Sequence, residues 1–573
     1  MLYLSALVSV ALVGGGLSWA GVLGCLMYVA LTPWLALGFW SCVIGMLLLR
    51  FYKDPLLQVM PKELAKTAQS EIDAPLWSST ALLLCVRDEE LTPIIHSLCA
   101  VLDDLVRTPH CGHFHMYILS DSTQAQKIAH EASAFEDLKL KYSKHLQITY
   151  RLRTEHSGFK AGNVMDFCRR FGDKHDFALT LDADSYMSPK AIIRLVRMMQ
   201  SDSKLGILQG LVIAMPTLNA FTRLFQFGMR LGMRAWTLGN AWWQGDCGPY
   251  WGHNAVFRIA PFTEFCDLPL LSPSARRSRH ILSHDQVEAV LMRRAGFDVR
   301  VLPFEDESWE QNPPNLPEFI RRDLRWCEGN LQYGSLLFLP NLRWVSRVQL
   351  LLAMLMFTGA PGWIGLIGLG TLVCAFPELA NSINGAELMH LFWVTLVMFY
   401  VPKLVSALEI ILDSKQRADF GGLFRFTGSF LLETCFSLLL SPIMWLSQTL
   451  FMAKLLFGMS KGWATQAREG QQISFAAAAA QFWPHTLLGA VCIGAIAWNQ
   501  PGMIFFALFY TLGLLVSIPL TVFLSTPELG LWMHKVGIAR LPEETTPPAE
   551  LLALGLAACV IPPRQVLPSQ NPS

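Results

Sequence analysis

Two aspartates one residue apart, Asp182 and Asp184, leave the end of an apolar run, Phe177-Ala-Leu-Thr-Leu181. Carboxylates at i and i+2 off a strand can share a divalent cation, and Mg²⁺ or Mn²⁺ favours such oxygens together with those of a phosphate. A cation there would offset charge on a diphosphate leaving group; the same pair could also end a strand and cap a helix. Ser283-His284-Asp285 stands just before a helical pattern. An aspartate so placed serves as an N-cap, or as a base taking a proton from an acceptor hydroxyl. Arg322-Asp-Leu-Arg325-Trp326 lies on an amphipathic segment with an apolar stripe of Leu316, Ile320, Leu324, Cys327 and Leu331. Arg322 and Arg325 share a face, with Trp326 one turn from Arg322. Two guanidinium groups suit a diphosphate and an exposed indole suits a sugar, although a membrane-surface helix with a basic rim has the same pattern. Gly158-x-Lys160-Ala-Gly162-Asn163 opens a helix and offers backbone N–H groups and a lysine to phosphate. Trp251-Gly-His253-Asn254 is a polar cluster between aromatic residues.

The elements that must position these residues alternate. Apolar, β-rich runs occur at Thr80–Val86, His115–Ser120, Leu146–Leu152, Phe177–Leu181, Ile207–Ala214 and Asp298–Leu302. Helical patterns lie between several of them, at Pro93–Val106, Ala161–Phe171, Lys190–Met199 and Gln286–Ala295. Such alternation predicts a largely parallel sheet covered on both faces, with ligands at the carboxyl ends of its strands. Arg87-Asp88-Glu89-Glu90, Asp121 and Asp182-Ala-Asp184 all fall at such ends. No GxxxxGK[ST] loop and no GxGxxG after a strand occurs, so the common nucleotide fingerprints are absent.

Composition places this unit in a membrane protein. Of 573 residues 52% are hydrophobic and only 16% charged, against about 25% in soluble domains. Arg50 is the first charged residue, and 34 basic and 33 acidic residues fall between Arg50 and Ser346. A net charge of +1 argues against nucleic acid as a partner. The 13 cysteines include no CxxC pair, so neither a disulfide framework nor a zinc site is expected. Residues 1–49 have the length for two crossings with a turn at Thr32-Pro33, and Arg50, Lys53, Lys62 and Lys66 then put the charged unit, and the N-terminus, in the cytoplasm. Further apolar blocks lie at 348–376, 388–411, 427–457, 485–499 and 502–524. The 377–387 loop has no Lys or Arg and reads as external. Lys415, Arg417 and Arg425 mark an internal loop, as do Lys461 and Arg468, so 427–457 is expected to cross twice, turning near Ser441-Pro442. That makes eight crossings, with seven the alternative. Lys403, Glu409 and Glu433 would line a path or pair within the bundle. The expected units are a membrane segment at 1–50, a cytoplasmic domain at 51–346, membrane helices at 347–526 and a cytoplasmic tail at 527–573, unstructured from Leu541.

In their order along the chain, Asp121, Lys160, Asp182 with Asp184, Asp285 and Arg322-x-x-Arg325-Trp326 resemble the processive family 2 glycosyltransferases, which include cellulose, chitin and hyaluronan synthases. The closer resemblance is to the glucans biosynthesis glucosyltransferase H family, makers of osmoregulated periplasmic glucans. It is carried, over roughly residues 1–525, by Ser157-Gly-Phe-Lys-Ala-Gly-Asn163, Leu181-Asp-Ala-Asp-Ser185, Trp251-Gly-His-Asn-Ala255, His280-Ile-Leu-Ser-His-Asp285, Pro313-Pro-Asn-Leu316 and Arg322-Asp-Leu-Arg-Trp-Cys-Glu-Gly-Asn-Leu331. Many members carry a long extension before the first span, whereas this chain begins at the membrane. Ser274-Ala-Arg-Arg-Ser-Arg279 is basic where the family has a Gly-rich stretch.

The resemblance implies an α/β GT-A-type glycosyltransferase domain inserted in a polytopic α-helical membrane domain, at the bacterial inner membrane. It implies UDP-glucose as donor and a linear β-1,2-linked glucan as product, passed outward through the membrane helices. It assigns Asp121, with Asp88 as a lesser candidate, Lys160 and Asn163 to the donor. Asp182 and Asp184 go to Mg²⁺ (or Mn²⁺) and the diphosphate, Asp285 to the base, and Arg322 and Arg325 to the leaving UDP. Trp326, His253 and Asn254 go to the acceptor sugar. Acyl carrier protein and periplasmic glucan-modifying proteins are the implied partners. The alternatives are a synthase of cellulose type, and a membrane transporter with a non-catalytic nucleotide-sensing domain.

Overall fold

The computed structural model describes residues 1–271, 280–459 and 470–554. The basic segment 274–279, Lys461, Arg468 and the tail beyond residue 554 lie outside the described residues. The chain opens with α1 (Leu2–Val13) and α2 (Trp19–Phe51). The turn expected at Thr32-Pro33 is not there, because α2 runs through Pro33. Proline removes one helical donor, and the carbonyl it would leave bare, that of Val29, accepts instead from Thr32 Oγ1 at 2.8 Å. The chain turns earlier, at Gly14–Ser18, where Ser18 caps α2 through Gly21 N. At 12 residues α1 is about 18 Å long, well short of a bilayer core of about 30 Å. Residues 1–49 therefore supply one full-length span.

The charged domain is built on one eight-stranded sheet of β1 (Thr80–Val86), β2 (Phe114–Ser120), β3 (Gln147–Leu152), β4 (Phe177–Asp182), β5 (Ser185–Met187), β6 (Leu205–Ala214), β7 (Ala255–Arg258) and β8 (Asp298–Glu310), in the order β3-β2-β1-β4-β7-β6-β8-β5. The first four strands of that order are parallel, as expected, but β7 runs antiparallel to both β4 and β6, and β5 antiparallel to β8, so the sheet is mixed. Strands of three and four residues are too short to show alternation, which is why β5 and β7 leave no periodic signal. Helices α3 (Leu91–Leu105), α4 (Ala125–Tyr142), α5 (Phe159–Phe171) and α6 (Pro189–Ser201) cover the sheet. The register sets Cys85 beside Asp182, and Asp121 N donates to Val86 O, so the polar ends of β1, β2 and β4 share one edge.

Toward the opposite end of the strands, His115 stacks on Tyr117, and His175 meets both rings edge-on. Tyr117 Oη is 3.0 Å from His175 Nε2, and His175 Nδ1 is 2.8 Å from Ser79 Oγ. Burial, helped by the neighbouring His175 and Lys174, pushes His115 from 6.5 down to about 4. The folded protein therefore holds the neutral ring while the unfolded chain takes up a proton. Stability is full above about pH 6.5 and falls as the pH drops toward 4. Thermal melts are expected to show a lower Tm at pH 5 than at pH 7, with a smaller difference in His115→Gln.

Three further helices tie the domain to the membrane part: α7 (Ala220–Gln244), α8 (Asp285–Arg294) and α9 (Leu316–Leu331). Helix α7 crosses α2 backbone to backbone. A Cβ at Gly45 would fall 1.8 Å from Ala235 O, and one at Gly239 would fall 1.8 Å from Ser41 O. Then come α10 (Trp344–Ala375), α11 (Gly385–Leu412), α12 (Leu423–Leu456), α13 (Phe475–Asn499) and the pair α14 (Ile504–Leu515) and α15 (Ser517–Leu524), bent by 57°. With α2, five helices are long and apolar enough to cross a membrane, or six if the bent pair is one span, among the described residues. Eight crossings, or seven, are thus not found.

The expected double crossing fails at α12, which is one helix of 34 residues that runs straight through Ser441-Pro442. It leans on the charged domain along its length. Phe426 packs on Phe227, Phe436 on Phe221, and Gln448 donates to Asp323 Oδ2 at 2.7 Å. Lys403 of α11 pairs with buried Glu433 of α12 at 2.5 Å, and Ser437 donates to the same carboxylate.

The segment after α15 is also folded, as far as it is described. Helix α16 (Pro527–Val536) and a short turn at Pro542–Thr545 lie against α7, and a further turn at Ala549–Ala553 packs on α3. Arg223 pairs with Glu544 at 2.9 Å, each 1% exposed, and Arg230 pairs with Glu543 at 2.8 Å. The expectation of an unstructured chain from Leu541 is corrected up to residue 554, because buried guanidinium groups on α7 supply what the local composition lacks.

Candidate active site

Asp182 closes β4, and Lys160, in the first turn of α5, forms a tight ion pair with it while also donating to Gly252 O at 2.8 Å. Burial alone would raise the Asp182 carboxyl, but Lys160 and His253 hold it below the usual range. The charge of Asp184 reaches both Arg322 and Arg325. Among the described residues no group of three or more His, Cys, Asp or Glu could by itself hold a metal ion. The pair Asp182 and Asp184 is what this cleft offers a cation.

Asp121 does not stand open at the end of β2. It is buried and takes Arg153 in a fork, Nε at 2.7 Å and Nη2 at 2.5 Å. The same guanidinium donates to Ser157 O and Phe159 O, which fixes the left-handed turn at Gly158 (φ 72°) and Phe159 (φ 52°) that launches α5. Asp88, itself at φ 53°, accepts from Thr123 N, Thr123 Oγ1 and Gln124 N, lashing the β1 and β2 loops together. Behind them Glu131 of α4 is buried and accepts from Ser120, Ser122 and Tyr150. Asn163 and Asn254 sit in the core rather than the cleft. Asn163 donates to Leu119 O, and Asn254, at φ 50°, donates to Ser308 Oγ. Their part is to fix α5 and the loop before β7.

The loop that leads to Asp285 is gripped from two sides. Leu282 N donates to Gln332 Oε1 and Tyr333 Oη to Ser283 O, both at 2.8 Å. Gly329 of α9 packs so closely that a Cβ there would lie 2.2 Å from Ser283 Oγ. On the other side, a Cβ on Gly252 would lie 3.5 Å from Asp285 Cβ. The N-cap of α8 is His284, with no side-chain cap bond, and Asp285 is the first helical residue. Its carboxylate is not spent on capping.

On α9, Arg322 stacks 4.9 Å over the ring of Trp326, which is 47% exposed, and donates to Asn312 Oδ1 at 3.0 Å. Between Arg322 and His253 stands Glu310, which the sequence did not single out. Its carboxylate is 3.5 Å from Arg322 Nη1 and 3.8 Å from His253 Nε2, while His253 Nδ1 reaches Ser185 Oγ at 3.1 Å. Burial raises the Glu310 carboxyl against the pull of His253 and Arg322. The signal that could have found it is positional: Glu310 ends β8 opposite Ser185, next to the Asp182–Asp184 turn. Lys160, Asp182, His253, Asp285, Glu310 and Arg322 thus belong to one cleft. Asp121, Asp88, Asn163 and Asn254 support its walls.

A mixed sheet with an acidic pair at the end of a central strand, a carboxylate on the loop opposite and an arginine-tryptophan helix leading to apolar spans defines a membrane-attached glycosyltransferase with a GT-A-type domain. Residues 85–265 match the family model Glycosyl transferase family 2, and residues 177–524 match Glycosyl transferase family group 2. Proteins named glucans biosynthesis glucosyltransferase H are 32% identical to this chain. The one from Xanthomonas oryzae pv. oryzae aligns over 92% of this chain and 83% of its own length, and the one from Caulobacter vibrioides over 92% and 81%. The chain belongs to the glucans biosynthesis glucosyltransferase H family and is a glucosyltransferase. A solved mannosyltransferase from Pyrobaculum calidifontis, in complex with GDP-Man and Mn²⁺, aligns over 69% of this chain and 99% of its own at 13% identity, with a TM-score of 0.43.

Proposed function

We propose that the enzyme uses UDP-glucose to build a linear β-1,2-linked glucan, at the cytoplasmic face of the inner membrane, and passes the chain through its membrane helices. The observation that carries this is the convergence of Asp285, the Asp182–Asp184 turn and Arg322 with Trp326 in one cleft, on a helix followed directly by the span α10. An acceptor hydroxyl gives its proton to Asp285 as its oxygen bonds to C1 of the glucose, and the C1–O bond to UDP breaks. One displacement on an α-linked donor yields a β linkage without a protein nucleophile. Arg322 and Arg325 meet the charge that develops on the departing diphosphate. A divalent cation, Mg²⁺ or Mn²⁺, fits the two carboxylates Asp182 and Asp184 completed by diphosphate oxygens, and when bound it neutralises leaving-group charge. Asp121 acts on the donor through Arg153 and the turn that presents Lys160.

The orientation rests on charge. Arg50 lies in the last turn of α2 and Lys53, Lys62 and Lys66 follow it, and the loop between α11 and α12 carries Lys415 and Arg417. The test is purified protein in vesicles with UDP-glucose and Mg²⁺, followed by linkage analysis. A β-1,2-linked polymer is expected. A β-1,4-linked polymer, or incorporation only from another nucleotide sugar, sinks the substrate assignment while leaving the chemistry.

A further inference from the structure

Beside the base lies a second titratable pair that the chemistry above does not use. His284 immediately precedes Asp285, and its Nδ1 is 2.8 Å from Glu288 Oε2, one turn along α8. The side chains are 12% and 3% exposed. The other edge of the ring faces Gly252, whose Cβ would lie 3.5 Å from both His284 Cε1 and Asp285 Cβ. Gly252 in turn holds Lys160 through its carbonyl. The cleft is rich in carboxylates, with Asp182, Asp184, Asp285 and Glu310 gathered where a diphosphate must also sit. A buried imidazolium there has a reason to exist. We propose that His284, held by Glu288, is a positioning residue that supplies the countercharge to Asp285 and aims it into the cleft.

The proposal rests on Asp285 being the base, as argued above. The groups that face His284 are Glu288 and Asp285 on its own helix, Lys160 on α5 and Asp182 at the end of β4. The phenols of Tyr250 and Tyr333 are buried against the same carboxylates and are held neutral, chiefly by burial. Burial and Lys160 work against the charged ring, but Glu288, then Asp285, outweigh them and raise it above its ordinary 6.5. Activity should therefore persist to a more alkaline pH than a free histidine allows and fall when the ring loses its proton. Removing Glu288 brings that fall to lower pH.

The experiment follows UDP release by the full-length protein in lipid nanodiscs, with UDP-glucose, from neutral to alkaline pH. In Glu288→Gln the basic limb of kcat/KM is expected to move down by about one pH unit or more. His284→Gln is expected to lose about tenfold or more in kcat and to show no limb from this group, and His284→Lys to recover part of the loss. Equal losses at every pH in Glu288→Gln and His284→Gln, with the limb unmoved and no recovery in His284→Lys, overturn the proposal. If Glu288→Gln does not fold, the His284→Gln and His284→Lys pair decides it. An Asp285→Asn protein that still makes polymer at the wild-type rate overturns the base assignment itself, and the countercharge role with it.

Discussion

Asp285→Asn is expected to bind UDP normally and to make no measurable polymer, with transfer slowed by about 10²- to 10⁴-fold. A sugar hydroxyl is a weak nucleophile, and the only help it can get at the moment of attack is a group that takes its proton. Asparagine has the same shape, so the loop gripped by Gln332, Tyr333 and Gly329 keeps its path. Because the Asp285 side chain does not cap α8, its replacement costs no helix capping. Radiolabel incorporation, measured beside UDP binding by calorimetry, checks the prediction. Loss of both activities would point to misfolding; full retention of synthesis would remove Asp285 from the chemistry.

Glu544→Ala is expected to cost the protein more stability than any exposed charge could. Arg223 and Glu544 are each 1% exposed, and Arg223 also donates to Thr217 O and Ile538 O. Deleting one partner of a buried pair leaves an uncompensated charge, at a cost of about 3–5 kcal/mol. By contrast, the Lys139–Glu136 pair is half exposed, and losing it should change stability by about 1 kcal/mol or less. Thermal melts of the purified protein in detergent test this. A double variant, Arg223→Met with Glu544→Leu, should regain much of what Glu544→Ala loses, because it removes both charges rather than stranding one. If the single variant melts like the wild type, the buried pair is not what holds this segment.

The parts of the site legible in the sequence were those whose signal is local. Asp182 and Asp184 stand after a pure apolar run, and Arg322, Arg325 and Trp326 share one helical face. Asp285 precedes a periodic stretch. What stayed hidden depends on partners far along the chain. Arg153 looks like any charged residue after a strand until the fold sets it across Asp121 and the Ser157–Phe159 turn. Glu310 hides in the acidic run Glu305-Asp-Glu-Ser-Trp-Glu310, and only the pairing of β5 with β8 shows which carboxylate turns to the cleft. The membrane was misread at two prolines for a physical reason. Pro33 looks like a turn, yet Thr32 satisfies the carbonyl that it frees. The apolar length of α12 looks like two crossings, yet it is one helix, part of whose surface meets the catalytic domain, as the Phe426–Phe227 and Gln448–Asp323 contacts show. Helix α7 carries the other half of that surface and gave no chemical motif to find.

The pairs between α7 and the last described segment also set an order in time. Arg223 and Glu544 are 321 residues apart in the chain, and Arg230 and Glu543 are 313 apart. At about 5–20 residues per second, a ribosome needs roughly 15–60 s to travel from the arginines to their carboxylates. Throughout that interval Arg223 lacks the carboxylate it is buried against, and Arg230 has Glu305 but not yet Glu543, while α10 to α15 are still being made. The catalytic domain can build its sheet and meet α2 through α7 early, but its last buried ion pairs close only at the end of synthesis. The closing segment is thus a completion signal: a chain stalled anywhere before Glu543 should hold a folded catalytic domain in which buried Arg223 still lacks its carboxylate.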